Sequence, residues 1–489
     1  MTRLRRKSPE PWQRVGFGPR HSPSSSLPSL TFNLRSTIAM FGRRTTPRIR
    51  TLLLLIFFFL FFWVILPYDN VIRLAVRWNL LQLKSSLTSR PREDWVFASR
   101  PEFPVDLGED VLVILKTGYG TRGRVPAWLE SLSNRNEFRD IVVIADYEGE
   151  EEEFEWRGQK LKVHDMVKRT LEHKTMEGTE GHPRVQKYQS FRDVVQSGNQ
   201  EEAIRLSRKF GWELDALKFV SGLEFAYDRF PRKKWYLLVD DDTFVVQPSL
   251  KPFLAHLDPE EPHYLGNAVG DFKARFAHGG SAVILSQATM QSLIVDNSRS
   301  LSSFYLDSLD EIWGDRLLAL ALIRIGIYLD ESFSHLFNGE PPLYSKIRPD
   351  RICSPILSFH TLPSPAKMLA VGEHFKNVSK PLFWFDLWDL YGVPPPWWQQ
   401  AGDATMRENW DHVGSPDEAT LTIQNVKNAR DCSKDCYRRA RTCLAWTWES
   451  ETGKCHISSW MIVGEKVTGK VSGINLQRAR SLENKCILL

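Results

Sequence analysis

Three short apolar runs, each ending in polar residues, most constrain how this chain can fold. They are DVLVILKTGYG (110–120), FRDIVVIADYE (138–148) and WYLLVDDD (235–242). Apolar runs of this length are typical of buried strands in a mostly parallel sheet. The helix-like segment RVPAWLESLSN (124–134) between the first two makes a β-α-β unit. Because helix and strand patterns alternate in this way, we expect an α/β sandwich over residues 101–400.

Helical periodicity predicts two later helices. In residues 211–230 leucine and valine recur every three or four positions, and Asp215 and Lys218 can pair on one helix face. Residues 314–327 show a second amphipathic pattern. By contrast, much of 149–200 has no clear period and is expected to be irregular, beginning with a solvated acidic loop.

A charge-free apolar segment near the N-terminus predicts a membrane anchor. Residues 51–67 read TLLLLIFFFLFFWVILP, and residues 1–50 hold ten arginines and one lysine against a single acid. Positive charge before such a segment favours a cytoplasmic N-terminus. We therefore expect a disordered cytoplasmic tail at 1–50, a transmembrane signal anchor at 51–67 and a stem at 68–100. A cleaved signal peptide and a core helix are the alternatives. The short span suits the thinner membranes of the early secretory pathway, such as the Golgi.

Two features agree with a lumenal location for the rest of the chain. Asn377–Ser379 is an N-glycosylation sequon, and five of the six cysteines lie in the last 58 residues. Such a density of cysteines is typical of a small disulfide-stapled module, predicted here at 401–489. The net charge of +5 is concentrated before the anchor. Since the body of the chain has no basic patch interleaved with aromatics, we expect no nucleic-acid partner.

The cysteine spacing leaves the disulfide pairing open. The four cysteines from 432 to 455 allow three pairings, of which we favour Cys432–Cys455 with Cys436–Cys443. Cys353 could pair with Cys486 or remain free. Metal binding is the alternative, but the spacing lacks paired C-x-x-C knuckles.

Polar residues at the ends of the three predicted strands point to a ligand site. In an open α/β sheet, ligands bind outside the carboxyl ends of the strands. Asp240, Asp241 and Asp242 follow the third run, and Thr117 and Asp146 follow the first two. Three adjacent carboxylates repel one another, and a divalent cation would offset this repulsion and could neutralise a diphosphate. A solvated aspartate-rich turn is the alternative.

Five segments between about residues 110 and 365 resemble, in the same order, motifs of glycosyltransferase family thirty-one. This is the Fringe and β-1,3-glycosyltransferase group, and the similarity is to its fungal-type members. The segments are FGWELDALKFV, KKWYLLVDDDTFVV, FAHGGSAVILS, GDRLLALAL and CSPILSFHTL. The cysteine-rich C-terminal segment resembles a PAN/apple domain.

The resemblance implies a GT-A fold and an inverting transfer from a nucleotide sugar to a glycan or glycoprotein acceptor, with a β-1,3 linkage. The family's usual donor is a UDP-sugar, used with manganese. Carried over to this chain, Asp242 would coordinate the Mn²⁺ directly and His360 would be a further metal ligand. Asp240 would contact the donor ribose or the water shell of the metal, and Asp241 would support the turn next to the nucleotide.

The same resemblance assigns Asp315 as the catalytic base, because inversion needs a carboxylate that accepts the proton of the acceptor hydroxyl. A helix N-cap after Gly314 is the alternative role for Asp315. Gly279 and Gly280 would let the backbone approach the sugars, or would simply form a turn. Thr117 and Asp146 are expected to contact the nucleotide, with ordinary strand-end capping as the alternative.

The chain departs from the family pattern at two places. Many animal members carry a paired acid where this chain has Gly314–Asp315, and their acceptor loops have no match here. Donor sugar and acceptor therefore do not transfer with the resemblance. A non-catalytic glycan-binding protein on the same scaffold is the competing hypothesis, although such a site should have lost Asp242, Asp315 or His360. Residues 383–398 are dense in aromatics, for which packing is favoured over sugar stacking.

Overall fold

The computed structural model describes residues 47–87, 99–132, 137–149, 154–391, 406–484 and 486. These residues fall into two units, the first ending at Ile65 and the second beginning at Leu66. In the first unit the described residues form helix α1 (Pro47–Ile65), which contains most of the segment predicted as an anchor. No helix in the described part of the chain is both long and apolar enough to cross a membrane. Residues 1–46 of the predicted tail lie outside the described residues.

The second unit contains the other helices and strands, numbered here in chain order. Its helices are α2 (Val71–Leu87), α3 (Leu107–Asp110), α4 (Val125–Leu132), α5 (Met166–Leu171), α6 (Pro183–Gln196), α7 (Gln200–Arg229), α8 (Gln247–Leu254), α9 (Gln287–Gln291), α10 (Ser298–Asp307), α11 (Gly314–Arg324), α12 (Pro365–Phe375), α13 (Leu387–Leu390), α14 (Ala429–Arg438) and α15 (Leu476–Glu483). Its strands are β1 (Val111–Lys116), β2 (Asp140–Ala145), β3 (Phe154–Trp156), β4 (Gln159–Leu161), β5 (Val163–Asp165), β6 (Trp235–Asp240), β7 (Phe244–Val245), β8 (Tyr264–Gly266), β9 (Ala268–Val269), β10 (Phe276–Ala277), β11 (Val283–Ser286), β12 (Ser358–Phe359), β13 (Met406–Trp410), β14 (Leu421–Ile423), β15 (Ala445–Glu449), β16 (Lys454–Ser458) and β17 (Lys466–Ile474).

A six-stranded sheet with the order β5-β2-β1-β6-β11-β8 forms the core of the α/β domain. The first four of these strands run parallel, whereas β11 is antiparallel to both β6 and β8. All six residues of β1 are buried, as expected for a strand covered on both faces. The predicted α/β architecture with a mostly parallel sheet is confirmed, and it is consistent with a GT-A-type fold.

Strand pairing brings the predicted site residues to one edge of this sheet. The parallel pairing of β1 with β6 aligns Lys116 with Asp240 at their carboxyl ends. β2 lies on the other side of β1 and ends directly before Asp146. The short pairing of β7 with β12 places Phe244 opposite Phe359, next to the late histidine segment. The strand ends therefore converge as the sequence predicts.

Helix α7 is longer than the predicted segment 211–230. It runs for 30 residues and begins after Asn199, whose side-chain oxygen accepts a hydrogen bond from the Glu202 N–H at 3.2 Å. Lys218 Nζ lies 2.9 Å from Asp215 Oδ1, which confirms the predicted ion pair. Because the first turns of α7 are mostly polar, periodicity alone did not reveal where the helix begins.

The expectation that much of 149–200 is irregular is wrong. This region contains the strands β3, β4 and β5 and the helices α5 and α6. The predicted acidic loop ends in β3, where Phe154 and Trp156 are buried, and its residues 150–153 lie outside the described residues. In α6 the buried face includes Arg184, a charged residue that hides the helical period from a hydrophobicity pattern.

The C-terminal module is a five-stranded antiparallel sheet with the order β13-β17-β15-β16-β14, covered by α14. Cys432–Cys455 and Cys436–Cys443 form buried disulfides beside Trp446, so the favoured pairing is confirmed. Cys353 pairs with Cys486 rather than remaining free.

The C-terminal module packs directly against the α/β domain. Ile347 and Met461 exchange two backbone hydrogen bonds, of 2.8 and 3.1 Å, and the Cys353–Cys486 disulfide closes the junction. Apolar residues of the module, Val463 and Leu444 among them, belong to the same buried cluster as the sheet of the α/β domain. The junction side of the module therefore shares the core of the α/β domain, whereas its two disulfides and Trp446 form a separate buried cluster.

Two further predicted segments pack against the same domain. In the aromatic segment 383–398, Trp384 and Trp388 are buried, which favours packing for its described part, and residues 392–398 lie outside the described residues. Helix α2 of the predicted stem buries Leu74 and places the Arg77 guanidinium 4.1 Å from the ring centre of Tyr328.

Candidate active site

A cleft of about 810 Å³ opens at the carboxyl ends of β1, β2 and β6. All of the predicted site residues line it, although they come from segments spread over about 240 positions of the sequence. They are Thr117, Asp146, Asp240, Asp241, Asp242, Gly279, Gly280, Asp315 and His360. The predicted residues therefore share one cavity, and their individual roles stay predictions.

Asp240, Asp242 and His360 form a group that can hold a metal ion. One ligand atom from each lies within 4.8 Å of the others. His360 reaches this position because β12 pairs with β7 and because Leu362 N donates to the Asp242 carbonyl at 3.1 Å. Two carboxylates and one imidazole are a donor set that suits a divalent cation such as Mn²⁺. The residues present therefore fit the predicted metal.

The imidazole of His360 interacts directly with the carboxylate of Asp242. His360 Nε2 lies 3.1 Å from Asp242 Oδ1. Burial lowers the pKa of His360, but the hydrogen bond and charge of Asp242 outweigh burial and raise it above its usual value. The same contact keeps the pKa of Asp242 below its usual value against the opposing effect of burial.

Lys116 supplies positive charge next to the aspartates, a role that sequence reasoning missed. Its Nζ lies 2.8 Å from Asp215 Oδ1 and 3.0 Å from Asp240 Oδ1, and the side chain is only 8% exposed. Burial lowers the pKa of Lys116, but the two carboxylates raise it well above its usual value. The alignment of Lys116 with Asp240 in neighbouring strands could have revealed this pair, because both residues end a strand.

Arg124 and Thr117 hold Asp241, which points into the protein. Arg124 Nη1 lies 3.1 Å from Asp241 Oδ1 and 3.5 Å from Asp242 Oδ2. The Thr117 hydroxyl donates to Asp241 Oδ2 at 2.6 Å. Both oxygens of Asp241 are thus engaged by the protein, and its expected support of the turn stays a prediction.

Asp146 presents an unused hydrogen-bond acceptor at the cleft. Its carboxylate is almost completely buried, and Oδ1 accepts from Tyr119 N at 2.8 Å. Oδ2 has no hydrogen-bond partner among the described residues. Burial raises the pKa of Asp146 above its usual value. A ligand with an N–H group could satisfy this oxygen.

Asp315 lies in the first turn of α11, beside the glycine pair. Its Oδ2 accepts from Gly279 N at 2.8 Å, and its Oδ1 accepts from Arg316 N at 2.8 Å. Burial raises its pKa to about 6, against the opposing effect of these two hydrogen bonds. The expected N-cap alternative is wrong in detail, because Trp313 occupies the cap position and Asp315 is the second helical residue.

Glycines at two positions, 280 and 314, allow close packing around the site. A methyl group at Gly280 would lie 2.3 Å from His360 Nε2, so the imidazole occupies the space that a side chain would need. A methyl group at Gly314 would lie 2.1 Å from Phe219 Cδ2, which fixes the start of α11 against α7. At Gly279 the nearest contact is an ordinary 3.4 Å, to Asp315 Oδ2.

The cleft also contains residues that sequence reasoning did not select. The ring of His278 packs edge-on against that of His360, with 5.3 Å between their centres. Trp212 and Trp313 line the cleft and are exposed. His278 directly precedes the glycine pair, Trp212 lies within the segment FGWELDALKFV, and Trp313 directly precedes GDRLLALAL. This closeness to the family-like segments is the signal that could have identified the three residues.

Comparison with protein-family models supports the family resemblance of both the α/β domain and the C-terminal module. Residues 196–382 match the model described as Fringe-like, and residues 411–486 match the model described as PAN domain. The first match contains most of the cleft residues, from Ser207 to His360, and the second contains β14–β17 of the C-terminal module. The Fringe-like family is a glycosyltransferase family. The chain therefore carries a Fringe-like glycosyltransferase domain followed by a PAN domain.

Proposed function

We propose that this protein is a membrane-anchored, Mn²⁺-dependent inverting glycosyltransferase of the Golgi lumen. It would transfer a sugar from a UDP-sugar to a hydroxyl group of a glycan or glycoprotein, forming a β-1,3 linkage. The observation that carries this proposal is that the group Asp240, Asp242 and His360, which can hold a metal ion, lines the same cleft as the carboxylate of Asp315.

Asp240, Asp242 and His360 would hold the cation next to the donor diphosphate. When bound, the cation supplies positive charge that offsets the charge of the departing diphosphate. Lys116 and Arg124 already compensate part of the carboxylate charge, since they lie within 3.5 Å of Asp240 and Asp242, respectively. Asp146 Oδ2, which has no hydrogen-bond partner in the described part of the chain, would accept a hydrogen bond from an N–H of the donor base.

Asp315 would act as the general base. Its carboxylate takes the proton of the acceptor hydroxyl while that oxygen forms a bond to the anomeric carbon of the donor sugar. The bond from the anomeric carbon to the diphosphate breaks at the same time, and the diphosphate leaves with the electron pair, so the configuration inverts. Burial suits Asp315 to this role, because a base with a raised pKa accepts a proton more readily.

The membrane anchor and the Golgi location are supported by the chain's own features. Residues 51–67 are apolar and follow a strongly basic segment. All six cysteines form disulfides, which persist in oxidising compartments such as the secretory pathway. Asn377 of the sequon is exposed at the end of α12, where a glycan could be attached.

The direct test uses the full chain, purified in detergent, with Mn²⁺ and a panel of nucleotide sugars. We expect Mn²⁺-dependent hydrolysis of at least one donor, and its loss in Asp242→Ala and His360→Ala. Asp193→Ala, which removes an exposed carboxylate of α6 outside the cleft, is the matched control and should keep full activity. A folded protein that neither binds nor hydrolyses any donor would refute the proposed enzyme.

A further inference from the structure

Three exposed apolar side chains lie at the cleft without a role in the proposed chemistry. They are Trp212, Ile312 and Trp313, which are 69%, 58% and 44% exposed. Large apolar side chains grouped on a protein surface are typical of binding sites. Because all three line the cavity that contains Asp315, a molecule bound to them would also contact the proposed catalytic base.

Trp313 is adjacent to the base and is held in place. It directly precedes Gly314 and Asp315, and its indole stacks on Phe276 with 6.2 Å between ring centres and an interplanar angle of 29°. Phe276 itself is buried, so it provides a fixed support for the indole. The exposed face of Trp313 is therefore a preorganised flat surface beside Asp315.

Trp212 approaches the same place from α7. It lies seven residues before Phe219, which is two helical turns on one face or about 10 Å along the axis. Phe219 is the side chain against which Gly314 packs. Trp212 therefore lies about two helical turns along α7 from the point where α11 begins, which is a distance greater than one sugar ring.

The loop before Trp313 is fixed by a buried arginine. Arg184 Nη1 donates to the carbonyl oxygens of Ser308 and Glu311, at 2.6 and 2.7 Å. Arg316 forms an ion pair with the Glu311 carboxylate. The loop that carries Ile312 and Trp313 is therefore a rigid part of the cleft wall, as a specific binding surface requires.

We propose that Trp212, Ile312 and Trp313 form the acceptor-binding surface and that the acceptor is an oligosaccharide of at least two units. This inference rests on the proposed function. A sugar ring has an apolar C–H face that stacks on an indole and a polar edge that can present a hydroxyl to Asp315. The glycine pair 279–280 offers no side chain to obstruct that edge. Because Trp212 lies about 10 Å along α7 from Phe219, where α11 begins, a second sugar ring is needed to reach it.

The test compares the full-length wild type with Trp313→Ala, Trp212→Ala and the double variant on an array of immobilised oligosaccharides of two to six units. Mn²⁺ and UDP are present and no donor is added. We expect the wild type to bind a subset of these glycans, each single variant to bind them at least tenfold more weakly, and Trp313→Phe to retain most of the binding. Leu306→Ala, which removes an exposed apolar side chain outside the cleft, should bind as the wild type does.

Donor hydrolysis by the same variants separates this inference from the proposed function. With an acceptor-binding role, Mn²⁺-dependent hydrolysis without acceptor stays within twofold of wild type, whereas the KM for the bound glycans rises at least tenfold. The inference is overturned if the wild type binds no oligosaccharide, if the tryptophan variants bind as tightly as wild type, or if hydrolysis falls as much as glycan binding. Tryptophan-dependent glycan binding by a chain that hydrolyses no donor would support the inference and refute the enzyme.

Discussion

Gly280 and His360 are in such close contact that any larger residue at position 280 would have to displace the imidazole. A methyl group there would lie 2.3 Å from Nε2, the ring atom that faces Asp242. Sequence motifs place both residues in the site, but they do not show that one makes room for the other. Gly280 therefore makes room for the imidazole of the metal-binding group, in addition to any role of the glycine pair in the approach of sugars.

Gly280→Ala should weaken Mn²⁺ binding at least tenfold, because the added methyl group displaces the His360 imidazole. Gly279→Ala is the matched control, since its methyl group meets Asp315 Oδ2 at an ordinary 3.4 Å and does not reach His360. Titration calorimetry with Mn²⁺ measures both. If the two variants bind Mn²⁺ equally well, His360 is not a ligand or its ring has room to move.

The rate of transfer should fall below about pH 6. Burial raises the pKa of Asp315 to about 6, and a general base works only in its ionised form. As the pH falls through this value, Asp315 becomes protonated and the kcat at saturating donor and Mn²⁺ drops about tenfold per pH unit. Above pH 7 the rate should be level.

Mn²⁺ binding must be measured over the same pH range, because protons compete with the metal for Asp240, Asp242 and His360. A loss of bound Mn²⁺ at low pH would otherwise be mistaken for protonation of Asp315. Asp315→Asn should lose transfer at every pH while binding Mn²⁺ and UDP as the wild type does. A rate that stays constant down to pH 5 would contradict the assignment of Asp315 as the base.

Lys116→Met should destabilise the fold by about 3 kcal/mol, since removing one partner of a buried ion pair leaves the other charge uncompensated. In this variant Asp215 keeps its ion pair with Lys218, at 2.9 Å. The uncompensated negative charge is therefore mainly that of Asp240. Thermal or urea unfolding of the full chain measures the change. Arg205→Met, which breaks the exposed pair with Glu202, is the control and should leave stability unchanged.

Replacing Cys353 and Cys486 together by serine should loosen the junction between the two domains. This disulfide joins residues 133 positions apart, and on the chain-entropy argument it stabilises the fold by up to about 5 kcal/mol. Amide hydrogen exchange should increase at Ile347 and Met461, whose backbone groups bond across the junction. The double serine variant of Cys436 and Cys443, which are only seven positions apart, is the comparison. Equal exchange in both variants would mean that the apolar interface alone holds the PAN domain.

Much of the α/β domain could be predicted because its strands are short, continuous apolar runs. β1, β2 and β6 lie within the three segments that define the sequence pattern, and α11 follows its amphipathic period. The region of α5 and α6 could not be predicted in the same way. Arg184 is buried there because the carbonyls of Ser308 and Glu311 accept its hydrogen bonds, and those partners are more than 120 positions away.

The residue types of the site, the order of its motifs and the cysteine-rich module were evident from the amino-acid sequence by itself, because they are local properties of the chain. Only the tertiary structure decided which charged side chains contact one another. Strand register puts Lys116 beside Asp240, and the pairing of β7 with β12 brings His360 to Asp242 across 118 positions. Trp212 and Trp313 likewise line one cleft, next to the point where the start of α11 packs against α7 at Phe219. Such contacts depend on how distant segments pack in the core, and the periodicity of a single segment carries no information about its distant partners.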